Sequence, residues 1–146
     1  MKDELDAFVR ETQEQIDQEG KAAYGEEVFR RWKNPRHFGP MEDATAIGRI
    51  KGKCGDSMEI HLKIQDEIIQ KASFVTDGCA SSVACGSVAV ELAGGKSLDE
   101  AVLIGGDTIL AQLEGLPREE THCAYLAAEA LHAAIHNYIV GCFQES

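Results

Sequence analysis

Three short motifs hold the residues of this sequence best suited to chemistry: Cys54-Gly55-Asp56, Gly78-Cys79 and His122-Cys123. A cysteine and an aspartate two residues apart face one side of an extended chain and offer a metal ion one soft and one hard ligand. Gly55 between them would let the backbone approach a bound group closely. Cys79 and Cys123 each stand near an expected helix start, where aligned peptide dipoles favour anions and lower a thiol's pKa. Lys51 and Lys53 would act on Cys54 in the same direction. The competing reading is a turn aspartate and small buried cysteines, the ordinary role of a single cysteine. On spacing alone that reading is the commoner one for Cys54-Gly55-Asp56.

The sequence has no C-x-x-C pair, so ribbon-type zinc sites are not indicated. The three cysteines are separated by 25 and 44 residues, on separate elements. Only a fold could bring them together, and the pattern alone reaches no further than a thiolate metal site. Cys85 follows Cys79 by six positions, well round a helix from it, and reads as packing, with sulfur relay a minor alternative. Cys142 falls in the tail and reads as incidental. His132 and His136 are spaced i, i+4 and could chelate a metal, but on an acidic, alanine-rich helix the favoured reading is solvent exposure. His61 is expected on a wet strand face, and His37 in a connector. Gly94-Gly95 and Gly105-Gly106 read as helix stops. No glycine-rich phosphate loop or nucleophile elbow is present.

At 146 residues and 44% hydrophobic content the chain suits one domain with a sizeable core and an appended helix. Its formal net charge of −11 repels phosphate backbones, so nucleic acid and anionic membrane are poor partners. A basic protein partner is compatible with it. No apolar run approaches the roughly 20 residues that span a bilayer, and the polar, acidic start lacks the features of a secretory signal. The expected location is the cytoplasm. Five cysteines there, an odd number, are thiols before they are disulfides.

The spacing predicts an amphipathic helix over 3–19, carrying Leu5, Phe8, Val9, Thr12 and Ile16 on one stripe and ended by Gly20. A second helix fits 24–33, with Tyr24, Val28 and Trp32 on one stripe, stopping before Pro35. Strands follow at 45–51, 57–65 and 69–76. In the second, Met58, Ile60, Leu62 and Ile64 point one way, and Glu59, His61, Lys63 and Gln65 the other. Asp66-Glu67 makes the turn between the last two. Helices then fill 80–93, a short segment opened by a Ser97/Glu100 capping box, a segment capped by Asp107, and a final run from Pro117 or Thr121 to about Val140. Strands first and helices afterwards indicate an α+β fold, a three-stranded antiparallel sheet with helices on one face plus an N-terminal extension helix. The expected organisation is an extension over 1–22 and one domain over 23–146.

On YGEEVFRRWKNPRHFG, CGDSMEIHLKI, FVTDGCASSVACGS, GKSLDEA and LPREETHCAYLAAEALHAAI, the sequence resembles the IscU/NifU N-terminal iron–sulfur scaffold family across about residues 24–140. The order and spacing of Cys-Gly-Asp, Gly-Cys and His-Cys are specific to it. The resemblance implies that Cys54, Cys79 and Cys123 bind a cluster. Asp56 would help bind iron and keep the cluster labile, with His122 as its rival ligand. It implies a carrier rather than an enzyme. Such a carrier takes sulfur from a cysteine desulfurase, gathers iron, builds a [2Fe-2S] cluster and passes it to apo iron–sulfur proteins. A thiolate set with one carboxylate suits that labile cargo. The alternative is a zinc-binding sulfur acceptor resembling the SufU branch, since zinc fits the same donors. That branch carries an insertion between the second and third cysteines, which this chain lacks. Where the family often has Leu-Pro-Pro-Val-Lys, a recognition site for an Hsp70-type chaperone, this chain has Leu116-Pro117-Arg118-Glu119-Glu120, which weighs against that delivery route. A homodimer is compatible with the sequence, and nothing in the sequence selects it.

Overall fold

Alternation in the second strand decides the sheet. Met58, Ile60, Leu62 and Ile64 are all buried, and they lie on β2 (Ser57–Gln65), the central strand between β1 (Ala46–Lys51) and β3 (Ile68–Thr76). Both pairings are antiparallel. The β2–β3 turn is made by Asp66 and Glu67, both in the left-handed region at φ 56° and 63°, the conformation that closes a two-residue hairpin along the twist of its strands. A register shift between Lys63 and Ile64 reverses the alternation of β3, so the buried residues there run Ile69, Ala72, Phe74. The structure, a computed structural model, describes residues 25–52, 55–114 and 116–145, together with Leu5, Ala7 and Phe8; of 142–145 it describes the backbone course only. Leu5, Ala7 and Phe8 are helical, with Leu5 and Phe8 largely exposed. The rest of the helix expected over 3–19 lies outside the described residues.

The helices described beside the sheet are α1 (Glu26–Lys33), α2 (Ala80–Ala93), α3 (Leu98–Ala101), α4 (Gly106–Gln112) and α5 (His122–Glu145), with a 3-10 turn at Arg118–Glu120 before the last. Helix α2 is buried on nearly every side, as expected of a helix wedged between sheet and helices rather than lying on a surface. Arg31 ties α1 to it, donating to Ser87 Oγ at 3.0 Å and to Glu91 Oε2 at 2.5 Å. Helix α5 crosses β1 so closely that Gly48 is required. A Cβ there would stand 2.2 Å from the Ala134 nitrogen and 2.4 Å from the Ala130 oxygen. Asn137 Nδ2 donates to the Ile47 carbonyl across the same contact at 2.9 Å.

The expected α+β architecture is therefore present, with the Ser97/Glu100 capping box in place. Three local readings change. His61 is buried, not wet: the connector folds over it, Met41 N donates to its Nδ1 at 3.3 Å, and its Nε2 meets Glu59 Oε1 at 2.5 Å. Gly105-Gly106 opens α4 instead of stopping a helix, because Gly106 lies under the Tyr125 ring, where a Cβ would approach to 2.4 Å; the N-cap is Gly105 and not Asp107, whose carboxylate accepts from the Tyr125 hydroxyl instead. In α1 the buried pair is Val28 and Phe29, and Trp32 is exposed with its ring against the edge of Phe29. Among the described residues no helix is long and apolar enough to cross a membrane.

Candidate metal centre

The β2–β3 register sets the site. Met58 pairs with Thr76, so the chain entering β2 and the chain leaving β3 emerge side by side at one end of the sheet. Asp77 braces the two, accepting from Ser57 N at 2.8 Å and Ser57 Oγ at 3.1 Å; these donors hold its carboxyl below the usual range. Thr76 Oγ1 donates to the Ser57 carbonyl at 2.6 Å and accepts from Gly78 N at 3.1 Å. Asp56 and Gly78-Cys79 are thereby fixed next to each other, and α2 starts from Cys79.

Cys79 is the N-cap of α2, in an extended conformation, and its side chain makes no capping bond. It is exposed, whereas Cys123, in the first turn of α5, is buried. The ligand atoms of Asp56, Cys79 and Cys123 all lie within 4.8 Å of one another. Two thiols and one carboxylate from three separate segments are thus gathered at a single point. Ser82, fully buried one turn into α2, joins two of them: its Oγ is 3.4 Å from Asp56 Oδ2 and 3.4 Å from Cys123 Sγ. Gly78 makes room for this arrangement, since a Cβ there would stand 2.5 Å from Ser82 Oγ and 3.0 Å from Asp56 Oδ2.

His122 stands beside the group. Its Nδ1 is 3.1 Å from the Glu119 carbonyl, an acceptor only, so the neutral ring carries its proton there and leaves Nε2 with a lone pair. That Nε2 is 3.7 Å from Cys123 Sγ. Burial pushes the Cys123 thiol up to about 11, with Ser82 opposing and Cys79, Glu120 and Asp56 adding to the rise. The helix start therefore does not make Cys123 a ready thiolate, contrary to the expectation from sequence; a cation has to displace its proton. Gly55 stands at φ 95°, in the left-handed region that favours glycine. Gly52 N donates to the Asp56 carbonyl at 2.8 Å, and Gly55 N to the Gly52 carbonyl at 3.1 Å. Cys54 and Lys53 lie outside the described residues.

The other candidates separate from the site. Cys85 is fully buried in the core, and desolvation pushes its thiol far up. His132 is half-buried rather than turned to solvent: its Nε2 is 2.8 Å from the Ile104 carbonyl, a structural bond that ties α5 to the loop before α4. His136 is exposed. The side chain of Cys142 lies outside the described residues. Sequence reasoning missed the two serines after Cys79. Their signal was present in Ser82, three positions on from Cys79 and so on its face of a helix.

The family model for the NifU-like N terminal domain matches residues 23–143. The chain is 42% identical over 116 residues to an iron–sulfur cluster assembly scaffold protein, IscU 1, of Archaeoglobus fulgidus, covering 79% of this chain and 76% of that one. To the scaffold protein IscU of Escherichia coli K12 it is 40% identical over 121 residues, covering 80% and 94%. The fold also matches a crystal structure of a candidate SUF-system scaffold protein from Fervidobacterium islandicum, with a TM-score of 0.68 over 79% of this chain and 98% of that one; at 20% identity this likeness concerns the fold alone.

Proposed function

This chain belongs to the NifU-like N-terminal domain family, and we propose that it serves as a scaffold on which an iron–sulfur cluster is assembled and from which it is passed on. The observation that carries the reading is the gathering of Asp56, Cys79 and Cys123 within 4.8 Å. The cluster is cargo, so the site has to bind it and also give it up. In this reading Cys54, Cys79 and Cys123 supply sulfur ligands and Asp56 a harder oxygen ligand that weakens the hold, with His122 able to exchange for Asp56.

The rest follows from the chemistry of the donors. Exposed Cys79 is the thiol open to a sulfur donor, which we take to be a cysteine desulfurase. Buried Cys123 closes the inner side of the site, and Ser82 stabilises its sulfur once the proton leaves. Partial solvent access at Cys79 and Asp56 gives the route by which a [2Fe-2S] cluster leaves for an apo-protein. We read the chain as a carrier of the cytoplasm rather than an enzyme, with 1–22 as an extension to a domain over 23–146; a family match that begins at residue 23 supports that boundary.

The test is anaerobic reconstitution with ferrous iron, cysteine and a cysteine desulfurase, followed by visible and Mössbauer spectra. The expected result is a [2Fe-2S] spectrum that Cys79→Ser or Cys54→Ser abolishes. Zinc suits the same donors; a colourless protein that keeps one tight zinc throughout would overturn the scaffold reading in favour of a zinc-bound sulfur acceptor. Asp56→Ala should hold its cluster longer and transfer it more slowly, and faster loss would exclude a labilising role for Asp56.

A further inference from the structure

Two consecutive serines open α2, and each holds a carboxylate. Ser82 Oγ is within 3.4 Å of Asp56 Oδ2 and shares its one proton between that oxygen and Cys123 Sγ. Ser81, also fully buried, donates to Glu120 Oε2 at 2.5 Å. The other oxygen of Glu120, Oε1, is 4.0 Å from Cys79 Sγ. Glu120 is half-buried, at the end of the 3-10 turn, where its N–H donates to the Pro117 carbonyl at 2.8 Å. Backbone and side chain are therefore both anchored, and the oxygen not used by Ser81 is turned toward the exposed thiol.

The separation decides what that oxygen can do. An ion bound tetrahedrally through one thiolate sulfur and one carboxylate oxygen sets those two atoms about 3.6 Å apart, from bonds of about 2.3 and 2.1 Å. The observed 4.0 Å needs only a small closing movement, within reach of a glutamate side chain.

We propose that Glu120 is a second metal-contacting carboxylate of this site, positioned by Ser81, and that it takes the incoming ferrous ion at Cys79. This rests on the scaffold reading and deepens it: Glu120 would add a second carboxylate to Asp56 at the Cys79–Cys123 pair. A hard oxygen beside the exposed sulfur suits Fe(II), which accepts mixed oxygen and sulfur ligands, at the point where the ion enters.

The test uses the full-length protein, oxygen-free, with ferrous iron alone. Fe(II) affinity is measured by competition with a colorimetric chelator, and the oxygen-to-sulfur ligand ratio by X-ray absorption. Glu120→Gln keeps the size and the acceptor for Ser81 but removes the charge; Glu120→Asp keeps the charge but draws it back by one methylene. Both are expected to weaken Fe(II) binding about tenfold or more and to lower the oxygen count, and Ser81→Ala is expected to follow in the same direction with a smaller effect. If Glu120→Gln leaves affinity and oxygen count unchanged while Asp56→Ala reduces them, the Glu120 inference fails and the scaffold reading survives. If Glu120→Asp binds like the parent while Glu120→Gln does not, Glu120 acts through its field alone and the contact is disproved. If the parent protein takes up no ferrous iron at all, both readings fall.

Discussion

The two ends of β2 and α2 use the same small residues for opposite purposes. At the site, Gly78 leaves space that the side chains of Ser82 and Asp56 occupy. In the packed interior, Gly48 leaves space for the backbone of α5, and Gly86, in the middle of α2, leaves space for the Phe74 ring, which a Cβ would approach to 2.4 Å. The cysteines divide in the same way. Cys79 is exposed at the first residue before α2, and Cys85, six positions on, is fully buried. The first turn of α2 arranges donors around a point, and further along the same helix Cys85 and Gly86 face the apolar core. Residue type therefore says little here, and position along one helix says most of what each residue does.

Gly48→Ala should give the largest effect on stability. Its Cβ would meet main-chain atoms of Ala130, Ala133 and Ala134 at 2.2 to 2.8 Å, and main chain cannot rotate away as a side chain can. The expected cost is about 3 kcal/mol or more, read from urea unfolding, with ferrous-iron affinity of the folded protein unchanged. A cost below about 1 kcal/mol would show that β1 and α5 can part, and the contrast between packed interior and adjustable site would collapse.

Gly78→Ala should reverse the pattern. Its Cβ would press on Ser82 Oγ and Asp56 Oδ2, which can turn aside at a cost of about 1 kcal/mol, and on Ser82 Cβ at 2.7 Å, which yields only by a small shift of the Gly78 loop or of the first turn of α2. Turning aside, however, moves Asp56 off the two sulfurs. The expected result is a small loss in the unfolding midpoint with about tenfold weaker metal binding, measured by chelator competition. A variant that lost more stability than Gly48→Ala, or that bound metal like its parent, would remove the distinction between the two glycines.

Much of this was legible in the sequence, for local reasons. The period-two run from Met58 to Ile64 marks β2 because each apolar side chain on it goes to one face. Residues 80–93 form one helix because alanine, valine and small polar residues run unbroken to Gly94. Cys79 and Cys123 fall at helix starts because a glycine precedes one and a turn precedes the other. The convergence of Asp56 with them was not legible by pattern: it depends on the pairing of Met58 with Thr76 and on how α5 crosses the sheet, and both are long-range. The burial of His61 was missed for the same reason, since the connector that covers it comes from twenty residues earlier. Glu120 stood out in the sequence only as an acidic substitution in a family segment. Its bond to Ser81, 39 residues away, needs both turns in place.

The smallest effect concerns the two buried thiols. Cys123 is pushed up to about 11 and Cys85 further still, chiefly by burial, from an ordinary value of 9.0. Above pH 9 the unfolded chain begins to lose these protons while the folded chain keeps them, so unfolding releases protons and stability falls as pH rises. Below pH 9 both states are protonated and the contribution is fully present. Each thiol can add a slope of at most about 1.4 kcal/mol per pH unit while its folded and unfolded forms differ in protonation. Tyr125, whose hydroxyl donates to Asp107, is also pushed up and adds to the same slope, so the informative quantity is a difference between variants. Cys85→Ala should flatten the decline of the metal-free protein between pH 9 and 11, measured by urea unfolding at each pH. Cys123→Ala should flatten it less, because Ser82 partly stabilises that thiolate and so narrows the gap between folded and unfolded states. Should Cys123→Ala flatten the decline more than Cys85→Ala, the inner side of the site would be the more enclosed environment, and the contrast between adjustable site and packed interior would be wrong.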